Sequence, residues 1–175
     1  MNNPNTHLFK HCPGCGEKKL SPDGEKSFIC QECGFKFFLN SAAAGIALIF
    51  NTKKQVLVTV RKYDPVKGTL DFPGGFAEPG ETMETCLIRE INEELNLDII
   101  DLKYFCSIPN QYLYKNILYS ITDMVFICTA SNFLKIKAQD EIAGFHFFDI
   151  DQLDITQFGL NSAKLVIEKI KASNF

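Results

Sequence analysis

The sequence predicts an α/β fold, a mixed sheet flanked by helices and preceded by a small cysteine-rich unit. Three features carry this reading. Strand-like runs alternate with one strongly patterned helix, and a second helical pattern follows near the end, giving the order strands, helix, strands, helix. Leu87, Ile91 and Leu95 recur every four residues, the stripe of a helix that buries one face. Four of the seven cysteines stand in two Cys-x2-Cys pairs ahead of the first long strand.

In chain order, residues 1–10 are polar and Asn-rich and are expected to be loose. Residues 11–38 read as a compact unit. Cys12-Pro-Gly-Cys15-Gly16 and Cys30-Gln-Glu-Cys33-Gly34 form two knuckles with fourteen residues between the pairs. Four thiolates suit a tetrahedral structural Zn²⁺, and a glycine after each pair permits the tight turn that aims the sulfurs. This is the pattern of a zinc ribbon. His11 adjoins Cys12, but four cysteines already close the site. Phe28, Phe35, Phe37 and Phe38 are expected to form its small core. A unit this short folds largely on its metal.

The main domain is expected over residues 42–175. Ala42 to Phe50 reads as a buried strand, with Gln55 to Val60 as its hairpin partner. Arg61 to Lys67 is a charged loop, and Leu70 to Phe72 a short extended piece before Pro73-Gly74-Gly75. The helix should start at Thr82, a good N-cap, with Glu84 in its first turn. Strands follow over 99–108, 118–128 and 145–149, then a terminal helix carrying Leu160, Ala163, Val166, Ile167 and Ile170. Cys86, Cys106 and Cys128 lie among apolar residues and read as buried filling.

The composition supports a globular chain. Of 175 residues, 46% are hydrophobic and sixteen are Phe, enough for a core; the net charge of −3 advertises no broad nucleic-acid surface. The first residues lack a signal-peptide order, and no apolar run reaches the roughly 18–20 residues of a membrane span. The expectation is a cytoplasmic protein with no membrane partner; paired cysteines in a reducing compartment favour metal over disulfides.

The richest stretch is Gly75-x5-Glu81-x7-Arg89-Glu90-Ile91-x-Glu93-Glu94-x-Asn96-Leu97. Glu90, Glu93 and Glu94 stand three and four apart on a helix and so share a region of its surface. Like charges so placed repel, and a hard cation such as Mg²⁺ or Mn²⁺ would reverse that sign. The stretch resembles the Nudix box, G-x5-E-x7-REUxEExGU, with Asn96 where the family has glycine. Asn is the best non-glycine residue for the left-handed closure of a helix.

The resemblance implies an α/β/α sandwich and a divalent-metal-dependent hydrolase of a pyrophosphate bond in a small nucleotide derivative. It implies Glu90, Glu93 and Glu94 as ligands of Mg²⁺ or Mn²⁺, with the Gly74 carbonyl beside them. Glu93 is the choice for orienting the attacking water. Glu81 and Arg89 would form a bidentate structural pair. Family members often add a carboxylate before a late strand; Glu141 is the candidate and Asp140 the second. His146, flanked by Phe, reads as the outward side of a strand. Tyr112 and Tyr114, with Tyr119 beyond, are candidates to stack on a base. Asp123 is an isolated charge in an apolar strand, set either to contact substrate or to face water.

A zinc ribbon before such a domain is similar to the NADH pyrophosphatase branch. That branch carries a further N-terminal domain and a Ser-Gln-Pro-Trp motif. This chain has no Trp and reads Ser107-Ile-Pro-Asn-Gln111 there, so NADH specificity does not carry over. The substrate stays open among dinucleotides such as NADH, ADP-ribose and nucleotide sugars. Two alternatives stand beside it: a nucleotide- or RNA-binding regulatory module, and a pyrophosphohydrolase that removes a nucleotide cap from RNA with the ribbon holding the strand. Dimerisation is frequent in the family, and a homodimer is compatible with the sequence.

Overall fold

The computed structural model describes residues 4–5 and 7–173. Contacts divide the chain into two units, one of residues 1–42 with 111–121, the other of residues 43–110 with 122–175.

In the smaller unit, β1 (Leu20–Pro22), β2 (Ser27–Cys30) and β3 (Lys36–Phe38) form an antiparallel sheet in that order. Its core is Cys12, Leu20, Phe28 and Cys30, with Phe9 and Phe37 packed against it. Phe9, Phe28 and Phe37 contact one another ring to ring. Two expectations need correction. Phe35, ahead of β3, is exposed, and so is Phe38, which alternates with Phe37 on β3 and faces the other way. The polar start of the chain, expected to be loose, is tied at two described points: Phe9 in this core, and Asn5. The buried Asn5 amide donates to Leu118 O at 3.0 Å and accepts from Leu118 N at 2.9 Å.

The larger unit is built on β4 (Ala42–Ile49), β5 (Val56–Arg61), β6 (Leu70–Asp71) and β9 (Ile142–Phe148), on β7 (Ile99–Tyr114) and β8 (Ile117–Ala130) apart from residues 111–121, and on helices α1 (Met83–Leu95) and α2 (Asn161–Ala172). The sheets run β4-β8-β7 and β6-β5-β9. Period-2 alternation assigns the two faces. Ile46 and Leu48 of β4, Val56 and Val58 of β5 and Val125 of β8 pack in one cluster with Ala163, Val166, Ile167 and Ile170 of α2. Ala47, Ile49, Leu57, Phe126 and Cys128 pack in another with Leu87, Ile91 and Leu95 of α1. The result is helix, sheet, helix.

β4 and β5 are not the hairpin that their spacing suggests. The turn between them is tight, with Asn51 Oδ1 accepting from Lys53 N and Gln55 N, but only a Phe50–Val56 bridge joins the strands. β5 pairs with β6 and β9 instead. The physical reason is competition for β4's edge. Residues 73–77 run beside it: Gly45 N donates to Gly75 O at 2.8 Å, Ala47 N to Pro73 O at 2.9 Å, and Ala77 N to Ala43 O at 3.1 Å.

α1 begins as its cap residue dictates. Thr82 accepts from Thr85 N, and the Thr85 hydroxyl answers to Thr82 N, a reciprocal capping box. It ends at Asn96, left-handed at φ 52°. Among the described residues no helix is long and apolar enough to cross a membrane.

Candidate active site

Both glycines of the turn 73–75 are closely approached, Gly74 by the β4 backbone and Gly75 by the charged face of α1. Gly74 has φ 141°, and a Cβ there would lie 2.1 Å from Gly45 O. A Cβ on Gly75 would lie 2.4 Å from the Glu90 carboxyl carbon. The Glu90 carboxylate therefore sits directly against Gly75.

The helix carboxylates divide into two environments. Glu94 is buried at 6% exposure and accepts from Gly74 N at 3.2 Å. Burial, with the neighbouring charges of Glu90, Asp71 and Glu141, pushes its pKa up to about 8 against the pull of the Gly74 N–H. Glu90 and Glu93 instead share Arg89 Nη1, at 2.9 and 3.2 Å. Burial, aided by Glu93 and Glu141, still raises Glu90 above the usual carboxylate range despite Arg89. Glu93 is half exposed.

Arg89 forms the expected fork with Glu81: Nε donates to Oε1 at 2.7 Å and Nη2 to Oε2 at 2.8 Å. Its hydrogen bonds hold the Glu81 carboxyl down at about 2. Arg89 Nη2 also donates to Phe76 O at 3.2 Å, which joins helix to turn. The helical spacing thus brings Glu90 and Glu93 to one guanidinium but turns Glu94 toward Gly74.

A small polar cleft adjoins Glu94, lined by Thr59, Arg61, Tyr63, Asp71, Phe72, Gly74, Glu141 and Ile142, all of the larger unit. Glu141, the candidate that the family resemblance implies, is among the lining residues. The segment before it follows the end of α1: Lys137 N donates to Leu95 O at 3.0 Å, Gln139 N to Glu94 O at 2.8 Å, and the Asn96 amide to Lys135 O at 3.0 Å. Asp140 offers its carbonyl to Lys62 Nζ. His146 is exposed on β9 and is absent from the cleft lining.

Asp71 and Arg61 escape the sequence reading. Asp71 is 9% exposed, and burial pushes its pKa up to about 6 although Arg61 Nη1 donates to it at 3.0 Å. The signal for the pair was a β5–β6 register that places Thr59 opposite Asp71, invisible in a two-residue strand. Asp123 is buried rather than facing water. It accepts from the Asn110 amide at 2.9 Å and is hydrogen-bonded by Ser162 in the first turn of α2.

In the smaller unit the four cysteine sulfurs all lie within 4.8 Å of one another, the one such group among the described residues. Cys12–Cys33 and Cys15–Cys30 are each 3.7 Å apart. A tetrahedral Zn²⁺ with bonds of about 2.3 Å needs sulfurs about 3.8 Å apart, so the cluster can hold zinc. Gly16 and Gly34, at φ 80° and 73°, make the knuckle turns. Tyr112 and Tyr114 also fall in this unit, stacked at 6.4 Å, with Lys115 Nζ 5.2 Å from the Tyr114 ring centre. Cys86 and Cys128 are buried, and burial lifts their thiols to about 11 and about 12, which makes them inert.

Known proteins resemble this chain in sequence and in fold. The chain is 33% identical over 95 residues to the NAD-capped RNA hydrolase NudC of Pseudomonas fluorescens, a match covering 54% of this chain and 34% of that protein. The corresponding protein of Stutzerimonas stutzeri is 30% identical over 101 residues, 58% of this chain and 35% of that one. The chain thus spans about a third of the length of the curated relatives it matches. A NUDIX hydrolase structure from Nitrosomonas europaea superposes with a TM-score of 0.69 at 21% identity, covering 95% and 94% of the two chains. The NUDIX domain of Shewanella oneidensis NrtR, complexed with ADP ribose, superposes at 0.60 with 18% identity, covering 77% and 89%. These two likenesses show the fold. The NUDIX domain family model matches residues 39–168, and the chain belongs to that family.

Proposed function

We propose that the chain is a divalent-metal-dependent hydrolase of the pyrophosphate bond in a small nucleoside diphosphate derivative: a dinucleotide, ADP-ribose or a nucleotide sugar. The observation that carries this reading is Glu94, a buried carboxylate against Gly74 N–H that shares its surroundings with Asp71, Glu90 and Glu141. Burial raises Glu94, Asp71 and Glu90 alike, and an all-oxygen donor set of this kind fits Mg²⁺ or Mn²⁺. Glu90, Glu93, Glu94, Glu141 and the Gly74 carbonyl are the proposed ligands. A cation held there would neutralise charge developing on the phosphates and ease deprotonation of the attacking water.

Glu93, half exposed on the helix, orients that water and accepts its proton. Arg89, locked by Glu81 and bonded to Phe76 O, holds Glu90 and Glu93 together on one guanidinium nitrogen. Free thiols outside the cluster fit a reducing compartment and support a cytoplasmic location.

A second reading, cleavage of a nucleotide-capped RNA, is favoured by the smaller unit. It carries six Lys against four Asp and Glu, while the whole chain is net −3. Its stacked Tyr112 and Tyr114 with Lys115 would suit a single strand. The relatives named as NAD-capped RNA hydrolases point the same way.

The test is product release from NADH, NAD, ADP-ribose, diadenosine polyphosphates, nucleotide sugars and NAD-capped RNA, with Mg²⁺ or Mn²⁺. One class should be cleaved, and Glu93→Gln should lower its kcat by about 10²–10⁴-fold. A folded, zinc-loaded chain that cleaves none of them would instead be a binding module.

A further inference from the structure

Where β5 ends beside the cleft, the chain enters a loop bonded to itself. Arg61 N donates to Thr69 O at 3.0 Å, Gly68 N to Arg61 O at 2.9 Å, and Thr69 reaches Val66 O through both its N–H and its hydroxyl. Lys62 fastens the loop to the Glu141 segment twice, its N–H to Glu141 O at 2.9 Å and its ammonium to Asp140 O at 2.8 Å. Tyr63 therefore stands on fixed backbone. Yet its side chain is 53% exposed while lining the cleft, with Lys62 Nζ 5.2 Å from its ring centre.

An aromatic ring so exposed contributes little to the core. Presented at a polar cleft by an ordered loop, it offers a flat face at small entropic cost on binding. Two residues earlier Arg61 lines the same cleft, its guanidinium aimed by Asp71 at 3.0 Å and by Pro65 O at 3.1 Å. A guanidinium held in this way matches phosphate oxygens.

We propose that Arg61 and Tyr63 form the recognition edge of the cleft, with Arg61 taking a phosphate oxygen and Tyr63 stacking on a planar base or ring of the substrate. This pairing selects nucleotide derivatives over bare phosphates and rests on the reading of the cleft as the substrate site. Both residues come from a stretch that composition marks only as a charged loop.

Equilibrium dialysis of AMP and of inorganic phosphate, with Mg²⁺ present, tests it without turnover. Tyr63→Leu should weaken AMP binding about tenfold, within the range of base–aromatic stacking. Tyr63→Phe should keep wild-type affinity, and phosphate binding should be the same in all three proteins. Arg61→Lys should weaken both probes. Tyr63→Leu binding AMP like the wild type, equal losses for AMP and phosphate in that variant, or no AMP binding to the wild type would each overturn the proposal. AMP binding that depends on Tyr63, in a chain that cleaves no compound of the panel, would defeat the hydrolase reading and leave this one standing.

Discussion

The cysteine cluster and the carboxylate cleft are built in opposite senses. In the smaller unit two of the four buried core residues, Cys12 and Cys30, are themselves members of the sulfur cluster. Leu20 and Phe28, with Phe9 and Phe37 packed against them, make up the rest of that core among the described residues. In the larger unit the carboxylates stand at the edge of two apolar clusters that are complete without them. The sulfurs are already gathered, whereas Glu90, Glu93 and Glu94 are parted between Arg89 and Gly74. A metal held by the four sulfurs would be part of the fold in the first region; in the second the fold is what presents the donors.

The largest effect expected from this contrast is on chelation. Removing zinc, or Cys12→Ser, should abolish amide hydrogen-exchange protection over 20–38 and leave that of α1 intact. Structural zinc contributes on the order of 10 kcal/mol in small units of this kind. Equal loss of protection in α1 would erase the distinction.

Next in size is Gly75→Ala. Its Cβ would collide with the Glu90 carboxylate, and a displacement of about 1 Å at a reacting centre costs about 10²-fold in rate. Steady-state kinetics beside a thermal melt would check it; the melt should move far less than the rate. A variant with wild-type kcat would mean that Glu90's place against the turn is irrelevant to turnover.

The smallest effect is a dependence on pH. Glu94 has its folded pKa raised to about 8 from 4.5, chiefly by burial. An acid raised in this way contributes fully to stability below its unfolded pKa and loses that contribution as pH climbs through the folded one. Metal-free protein should therefore lose stability between about pH 4.5 and 8. Added Mg²⁺ should restore more at pH 8 than at pH 6. Melts at both values with and without Mg²⁺ would show it, and Glu94→Gln should flatten the profile.

Much of this molecule is legible in its sequence because the signals are local. Thr82 and Asn96 bound α1, the Leu87-Ile91-Leu95 stripe names its buried face, and cysteine spacing makes the knuckles. Glu81 and Arg89 pair because helix and preceding loop are one continuous stretch. What local pattern misses is pairing between distant strands. The parting of β4 from β5 depends on residues 73–77 claiming an edge that the hairpin spacing assigns to β5. Asp71 and Arg61 look like scattered charges until the β5–β6 register joins them. Asp123 reads as touching substrate or facing water until Asn110 and Ser162 enclose it. In the ribbon, alternation along a three-residue strand was too short a pattern to separate Phe37 from Phe38.

Asn96 is where the box departs from the glycine of its family, and the departure adds a tether. Its side-chain amide, with the Leu95 and Glu94 carbonyls, pins residues 135–139 to the end of the helix. Glu94 and Glu141, far apart in sequence, are thereby carried on one rigid piece. The box of this protein is consequently not a portable cassette: grafted onto another scaffold without residues 135–141, it would arrive short of one acid and of the strap that sets it in place.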